Sequence, residues 1–175
     1  PGKYSYASSG AGAVGHLAME LFLVETGTDA QHIAYKGAGP AVTDVVAGNV
    51  PIMWDNLSSS LAQIKAGNFV PIGLAFPKRI PQLPNVPTFA ELGLKNYEAD
   101  TWFGFVGPAN MPKDIVKSIY DASMVVLKDP DTIKKFEDNG AFVIASTPEQ
   151  FTETVKREVA KWKRVVDAKK ISLEL

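Results

Sequence analysis

Between Tyr4 and Ala75, short apolar runs alternate with Gly-, Ser- or Pro-rich breaks and amphipathic stretches, and that alternation leaves few folds open. Tyr4-Ser5-Tyr6-Ala7 reads as a strand, and Ser8-Ser9-Gly10-Ala11-Gly12 breaks it. The spacing of Leu17, Leu21 and Val24 predicts a helix to about Glu25, with Gly27 just past its end. His32-Ile33-Ala34-Tyr35 is a second strand, broken by Lys36-Gly37-Ala38-Gly39. Pro40 suits the first position of a helix that carries Val42, Val45 and Val46 and stops at Gly48. Val50 to Trp54 is a third strand, and Asp55-Asn56 is a turn or cap before a helix carrying Leu61 and Ile64 and stopping at Gly67. Phe69 to Ala75 is a fourth strand. Strands separated by helices of this length imply right-handed βαβ crossovers and a mostly parallel sheet.

The later sequence has a different texture. Pro77, Pro81, Pro84 and Pro87 predict an extended surface connection, followed by a short helix over Thr88 to Leu92. Tyr97 to Val106 is aromatic and β-prone, and is expected to form a strand that Gly107-Pro108 ends. A helix is expected over Pro112 to Lys128 with Ile115, Ile119, Ala122 and Val126 on one face. A second is expected over Asp131 to Asn139, and a strand over Ala141 to Ala145. The last helix has the clearest start in the chain: Thr147 caps it, Pro148 fills its first turn, and Gln150 completes a capping box. Its stripe is Phe151, Val155, Val159, Trp162 and Val166.

Composition removes several function classes. Acids and bases are mixed along the chain and the net charge is −1, whereas a nucleic-acid surface needs a clustered basic excess. No nucleic-acid partner is expected. Cysteine is absent, which excludes disulfides, thiolate metal sites and cysteine nucleophiles. No apolar run approaches the roughly 18 residues of a membrane span, so direct membrane insertion is not expected. The first residue is Pro1 rather than Met, which reads as a processed or truncated start, with no leader pattern following it.

In an open parallel sheet, ligands bind outside the carboxyl ends of the strands, where the next helices begin. Four breaks meet that description: Ser8 to Gly12, Lys36 to Pro40, Asp55-Asn56, and Phe76 to Arg79. The first two are glycine-rich and lead into helix N-termini. Unpaired first-turn N–H groups backed by a helix dipole make an anion site without a charged side chain. Each piece also has a plainer reading. Ser8-Ser9-Gly10-Ala11-Gly12 is equally an ordinary strand-to-helix turn, and it matches no nucleotide-binding fingerprint. Lys36 is a solvated loop lysine or a ligand contact; Asp55 and Asn56 are helix caps or ligand contacts. Trp102 and Phe103 read as packing residues, with lining of a cleft as the alternative. Ser8 or Ser9 with His16 and Asp55 has triad composition, but there is no nucleophile elbow, and His16 falls inside a helix, where it is expected to bond a neighbouring backbone group. With His16 and His32 the only histidines, no metal site or cofactor is expected.

The ordered set of these motifs resembles one family. Tyr6-Ala7-Ser8-Ser9-Gly10-Ala11-Gly12, His16-Leu17, Ala34-Tyr35-Lys36-Gly37-Ala38-Gly39-Pro40, Asp44, Ala47-Gly48 and Asp55-Asn56 carry the likeness. Ile64-Lys65-Ala66-Gly67, Lys78-Arg79, Pro84-Asn85-Val86-Pro87-Thr88, Glu91-Leu92-Gly93, Tyr97-Glu98, Trp102-Phe103-Gly104, Pro108 and Trp162 continue it over essentially the whole chain. It is similar to the substrate-binding receptors of tripartite tricarboxylate transporters, the Bug-type receptors.

That resemblance implies an α/β periplasmic binding-protein fold of type II, whose two lobes close on a ligand like a trap. It implies a chain that begins where the family's second lobe begins: residues 1–104 form that ligand-binding lobe, and residues 105–175 form the C-terminal part of the first. The family's ligands are small di- and tricarboxylates, related amino acids and aromatic carboxylates, with one carboxylate held by loops of each lobe. By position, Ser8, Ser9, Gly10, Ala11 and Gly12, with Lys36, Gly37 and Gly39, match the ligand loops, and Asp55 lies beside them. The implied partners are the carboxylate and the membrane permease subunits of the transporter, and the implied location is the bacterial periplasm. A sensory receptor using the same trap is an alternative, and so is a hydrolase or transferase on a related lobe, for which Ser9 or His16 would be essential.

Overall fold

The regular alternation persists to Lys65 and then gives way to turns. The computed structural model describes residues 2–95 and 97–172; Pro1, on which the expected processed start rests, lies outside them. The chain divides into two compact units, one formed by Pro1–Thr101 with Lys161–Leu175, the other by Trp102–Ala160.

The first unit contains β1 (Ser5–Ser8), α1 (Val14–Thr26), β2 (Gln31–Ala34), α2 (Ala38–Val46), β3 (Ile52–Met53) and α3 (Leu57–Lys65). Its sheet has the order β2-β1-β3, all parallel, with Tyr6 opposite His32 on one side and Ile52 on the other. From β1 the chain steps outward to β2, then returns across β1 to β3, so the winding reverses beside β1. Right-handed crossovers in opposite directions put α1 and α2 on opposite faces of the sheet. Side-chain alternation along β1 agrees: Tyr6 packs with Met19 and Leu23 of α1, while Ala7 packs with Ala41 of α2 and Val50. Helix ends fall where the glycines predict. Gly27 caps α1 in the left-handed conformation and accepts no Cβ cost in doing so. The α2 helix starts at Ala38, two residues ahead of the expected Pro40, which costs nothing because a third-position N–H has no intrahelical partner.

Several expected elements do not form. Phe69 to Ala75 is not a fourth strand: Pro71 lacks a donor, and Val70 and Ile72 are 85% and 70% exposed, so no face is buried to fix a register. Leu74 alone makes a bridge, donating to Pro87 O at 2.9 Å and accepting from Phe89 N at 3.0 Å. The proline segment lies at the surface, with Pro77, Pro81 and Pro84 exposed, but it is not extended. Ile80 to Leu83 and Leu83 to Val86 are successive hydrogen-bonded β-turns with Pro81 and Pro84 at their second positions. These turns bury Ile80, Leu83 and Val86 against Leu61. Thr88 to Leu92 is a single turn rather than a helix, closed by reciprocal Thr88 and Glu91 hydrogen bonds of 2.7 and 3.2 Å and ended at Gly93. Among the described residues neither Tyr97 to Val106 nor Ala141 to Ala145 forms a strand. Tyr97 and Ala99 instead join Ala18 and Phe89 in a core backed by Trp54, Phe22 and Trp162. Ala145 adopts φ 51°, which interrupts an extended run.

The second unit holds α4 (Lys113–Leu127), α5 (Pro130–Asp138) and the part of α6 (Pro148–Lys169) that precedes Lys161. Two of these helices, α5 and α6, begin with side-chain caps. Asp129 caps α5 by accepting from Thr132 N at 2.8 Å, a cap hidden in the sequence by Pro130 at the first helical position. Thr147 and Gln150 close the expected box on α6, at 2.9 and 3.2 Å. The apolar stripe of α4 stays exposed at Ile115, Ile119 and Val126. Because the α6 box satisfies two end groups at once, Thr147→Ala is expected to cost about 1 kcal/mol. A lowered urea midpoint by far-ultraviolet circular dichroism is the check; an unchanged midpoint would mean that solvent serves those groups equally well.

Candidate functional site

The reversal of winding beside β1 defines where a doubly wound sheet opens a crevice: outside the carboxyl ends of β1 and its neighbours. Ser8 to Gly12 leaves β1 at that place, and Gly37 N donates to Ser9 O at 2.9 Å, tying the Lys36 to Gly39 loop to the first loop. Gly12 (φ 73°) and Gly37 (φ 108°) hold backbone conformations that a Cβ disfavours, so the two loops need glycine at these turns. The third loop arrives by close packing. At Gly15, in the first turn of α1, an added Cβ would lie 2.5 Å from Trp54 O, so α1 rests directly on the backbone leaving β3. The sequence reading missed this contact; an isolated glycine inside a helical pattern was the available signal.

The helix starts around this crevice share a property. The N-caps of α1, α2 and α3 (Ala13, Gly37 and Asn56) accept no hydrogen bond through a side chain. The helix starts at Asp129 and Thr147 and the turn at Thr88 are closed by side chains, whereas Pro112 leaves α4 without a side-chain cap. The first-turn N–H groups of α1, and those of Ala38 and Gly39 in α2, are left to an external acceptor at the positive ends of their helices. Such an arrangement suits a carboxylate or phosphate oxygen.

The remaining expected site residues divide by partner. Ser8 is wholly buried and exchanges short bonds with Gly10 and His32, so it shapes the loop from beneath. Ser9, Gly10 and Gly12 are half-buried, and Ala11, Lys36 and Gly39 are exposed. Lys36 has no ion-pair or hydrogen-bond partner among the described residues. One oxygen of Asp55 accepts from Ser59 Oγ at 2.6 Å and Ser60 Oγ at 2.5 Å, which anchors α3 to its loop. Asn56 Oδ1 accepts from Thr101 Oγ1 at 2.7 Å. The fourth break is not free: Arg79 pairs with Glu91 at 3.0 Å and donates to Pro84 O. In the second unit, Trp102 packs edge-on against Phe151 at 5.2 Å, while Phe103 is exposed.

Beneath the first loop lies a polar network that sequence reasoning did not assemble. Tyr6, His32 and His16 stack, with centroid separations of 4.9 Å from Tyr6 to His32 and 3.8 Å from His32 to His16. Tyr6 Oη donates to Glu20 at 2.7 Å, and Lys169 pairs with the other oxygen of Glu20 at 3.0 Å. Burial, then hydrogen bonding to Glu20, raises the Tyr6 phenol's pKa. Burial alone would raise Glu20, but the hydrogen bonds from Tyr6 and Lys169 outweigh it and hold the carboxyl below its usual range. Burial lowers His16 against the pull of Glu20; burial and the adjacent His16 lower His32 to about 4. His16 Nδ1 accepts from Gly12 N at 3.0 Å, the expected bond to a neighbouring backbone group. Ser8, His16 and Asp55 thus have partners other than one another.

A family model described as the tripartite tricarboxylate transporter family receptor matches residues 1–171. BugT of Bordetella pertussis is 31% identical over 166 residues, covering 95% of this chain and 51% of that protein. A periplasmic transporter structure superposes with a TM-score of 0.90 at 43% identity, over 99% of this chain and 58% of that one. An R. palustris protein with adipate gives 0.90 at 32% identity, over 98% and 57%. MatC of Rhodopseudomonas palustris with bound malate gives 0.82 at 27%, over 94% and 57%. The chain therefore spans about half the length of such relatives, and its fold is the α/β fold of periplasmic binding proteins with a parallel sheet. With its loops, uncapped helix starts and matched residues taken together, this chain belongs to the tripartite tricarboxylate transporter receptor family.

Proposed function

We propose that this chain supplies the carboxylate-binding loops of a periplasmic solute receptor that delivers small dicarboxylates or related acids to the membrane subunits of a tripartite transporter. The reading rests on one observation above the rest. Three helices begin without side-chain caps around the crevice of one parallel sheet, and two of the loops leading into them are hydrogen-bonded together. Residues 1–104 act as the ligand lobe and residues 105–175 as part of the other. Ser9, Gly10, Ala11, Gly12, Gly37 and Gly39 offer backbone groups to one carboxylate, Ser8 supports them from below, and Lys36 adds a cation. Asp55 fixes the start of α3 and leaves an oxygen for a ligand hydroxyl or an ordered water. The adipate and malate held by two relatives support a dicarboxylate as the ligand class. No step of bond making is assigned, because a trap needs donors and shape rather than a base and a nucleophile.

A thermal-shift series with adipate, malate, a tricarboxylate and an aromatic acid tests the reading. A ligand at about 100 times its dissociation constant stabilises the binding-competent state by about 2.7 kcal/mol. At about 2–4 °C per kcal/mol, that is a rise of about 5–11 °C. Lys36→Ala is expected to weaken the best ligand about tenfold at low salt and less at high salt, since an exposed charge is screened. Absence of any carboxylate response, together with turnover of an ester or phosphate substrate, would overturn the receptor reading.

A further inference from the structure

We propose that His16 and His32 form a clamp that holds the Ser8 to Gly12 loop in its anion-receiving shape, His16 by accepting the Gly12 N–H and His32 by donating to Ser8 Oγ. Both are positioning residues, acting through the loop rather than on a ligand, and the consequence for binding rests on the carboxylate reading above. The hydrogen count fixes the donors. Ser8 has one hydroxyl proton and three contacts: Gly10 O at 3.0 Å, Gly10 N at 3.2 Å and His32 Nε2 at 2.7 Å. All three are satisfied when Ser8 donates to Gly10 O and accepts from Gly10 N–H and from a protonated His32 Nε2. His16 has the complementary requirement. Its Nδ1 must be unprotonated to accept Gly12 N–H at 3.0 Å, which leaves the proton on Nε2.

The two rings are stacked almost parallel, 7° apart, so each constrains the plane of the other. One loop is thereby gripped at both ends: at Gly10 through Ser8, and at Gly12 through His16. The grip is sensitive to protonation at His16 in particular. A proton on Nδ1 replaces an acceptor by a donor facing Gly12 N–H, and the turn at Gly12 loses its partner. The groups that face the pair are Tyr6 on β1, Glu20 on α1 and Lys169 on α6. Burial opposes the charged form of both imidazoles, and His16 adds to it at His32; Glu20 favours the charged forms, but the net direction for both is downward. Because His16 is lowered from 6.5, the clamp is closed at neutral pH and opens as pH falls through the lowered value.

Nuclear magnetic resonance on the isotope-labelled chain tests this without any ligand. At neutral pH the expected result is an Nε2–H tautomer for both rings, and a Gly12 amide signal that shifts on acidification with the same midpoint as His16. His16→Asn keeps an acceptor without the titration, so its Gly12 amide should hold a near-native position and stay flat over the acidification that titrates His16 in the unmodified chain. A His16 ring protonated on Nδ1 at neutral pH, or a Gly12 amide indifferent to His16, would overturn the clamp; both are read on the unmodified chain. Calorimetry with adipate over the same range then compares the two proteins, since the ligand's own titration is common to both. The unmodified chain is expected to lose at least fivefold more affinity than His16→Asn. Equal losses in the two proteins would overturn the loop's control of binding. If adipate binds at no pH while Gly12 still follows His16, the carboxylate reading fails and the clamp stands.

Discussion

Gly15→Ala is expected to destabilise the chain by about 2–3 kcal/mol, although helix propensity alone predicts a gain of about 1 kcal/mol. The new Cβ would stand 2.5 Å from Trp54 O, 3.5 Å from Trp54 C and 3.7 Å from Ser8 Cβ. The nearest obstacle is a backbone carbonyl, which cannot swing aside as a side-chain end can. Either α1 lifts off the sheet or the segment leaving β3 moves. Both disturb the Trp54 ring, which stacks on Phe89 at 5.1 Å and meets Tyr97 edge-on at 5.3 Å. At about 2–4 °C per kcal/mol the melting midpoint falls by about 4–12 °C. Gly39→Ala is the matched control: it is helical, nothing lies within 4 Å of its added Cβ, and it is expected to stabilise by about 0.4–1 kcal/mol. A midpoint for Gly15→Ala equal to that of the control would mean that α1 does not rest on the β3 segment so closely. The variant should also bind carboxylate more weakly, because the displaced turn carries the first-turn N–H groups of α1.

What could be read in advance follows the range of the forces involved. The α6 box is a four-residue event, so Thr147, Pro148 and Gln150 announce it without help from the rest of the chain. Gly27 and Gly67 end their helices for equally local reasons. Phe69 to Ala75 and Tyr97 to Val106 look like strands because both are rich in β-prone residues. A strand, however, needs a partner and a buried face, and neither property is written in the segment itself. The proline segment misleads in the opposite direction. Pro81 and Pro84 read as extended surface chain, yet they sit where β-turns accept them, and the turns drive Ile80, Leu83 and Val86 inward. At the site, the glycine loops were legible because their conformations demand glycine. The His16–His32 stack was not, because the register of β1 against β2 is what brings His32 beside Tyr6 and over His16. Likewise, nothing local says that Asp55 will spend one oxygen on Ser59 and Ser60.

Gly39→Asp is expected to make the protein more stable and its carboxylate binding about a hundredfold weaker, a loss of about 2.7 kcal/mol. Gly39 occupies the second position of α2, beside an N-cap that offers no side-chain acceptor, and an added side chain meets open space. A carboxylate there would interact with the positive end of the helix and stabilise it by about 0.5–1 kcal/mol, with a further fraction from replacing helical glycine. The same substitution supplies internally the anion that the loop otherwise takes from solution, and it repels a second one. Stability and binding should therefore move in opposite directions, which ordinary damage to a fold does not produce. Gly39→Asn carries the same shape without the charge, and is expected to lose no more than about tenfold in affinity, as a neutral acceptor competes less well for the same N–H groups. If Gly39→Asp gained stability and still bound adipate as the unmodified chain does, the start of α2 would not be part of the anion site. The helix starts of α1 and α3 would then have to hold the ligand alone. If Gly39→Asp and Gly39→Asn lost affinity equally, bulk at the loop rather than charge would govern entry.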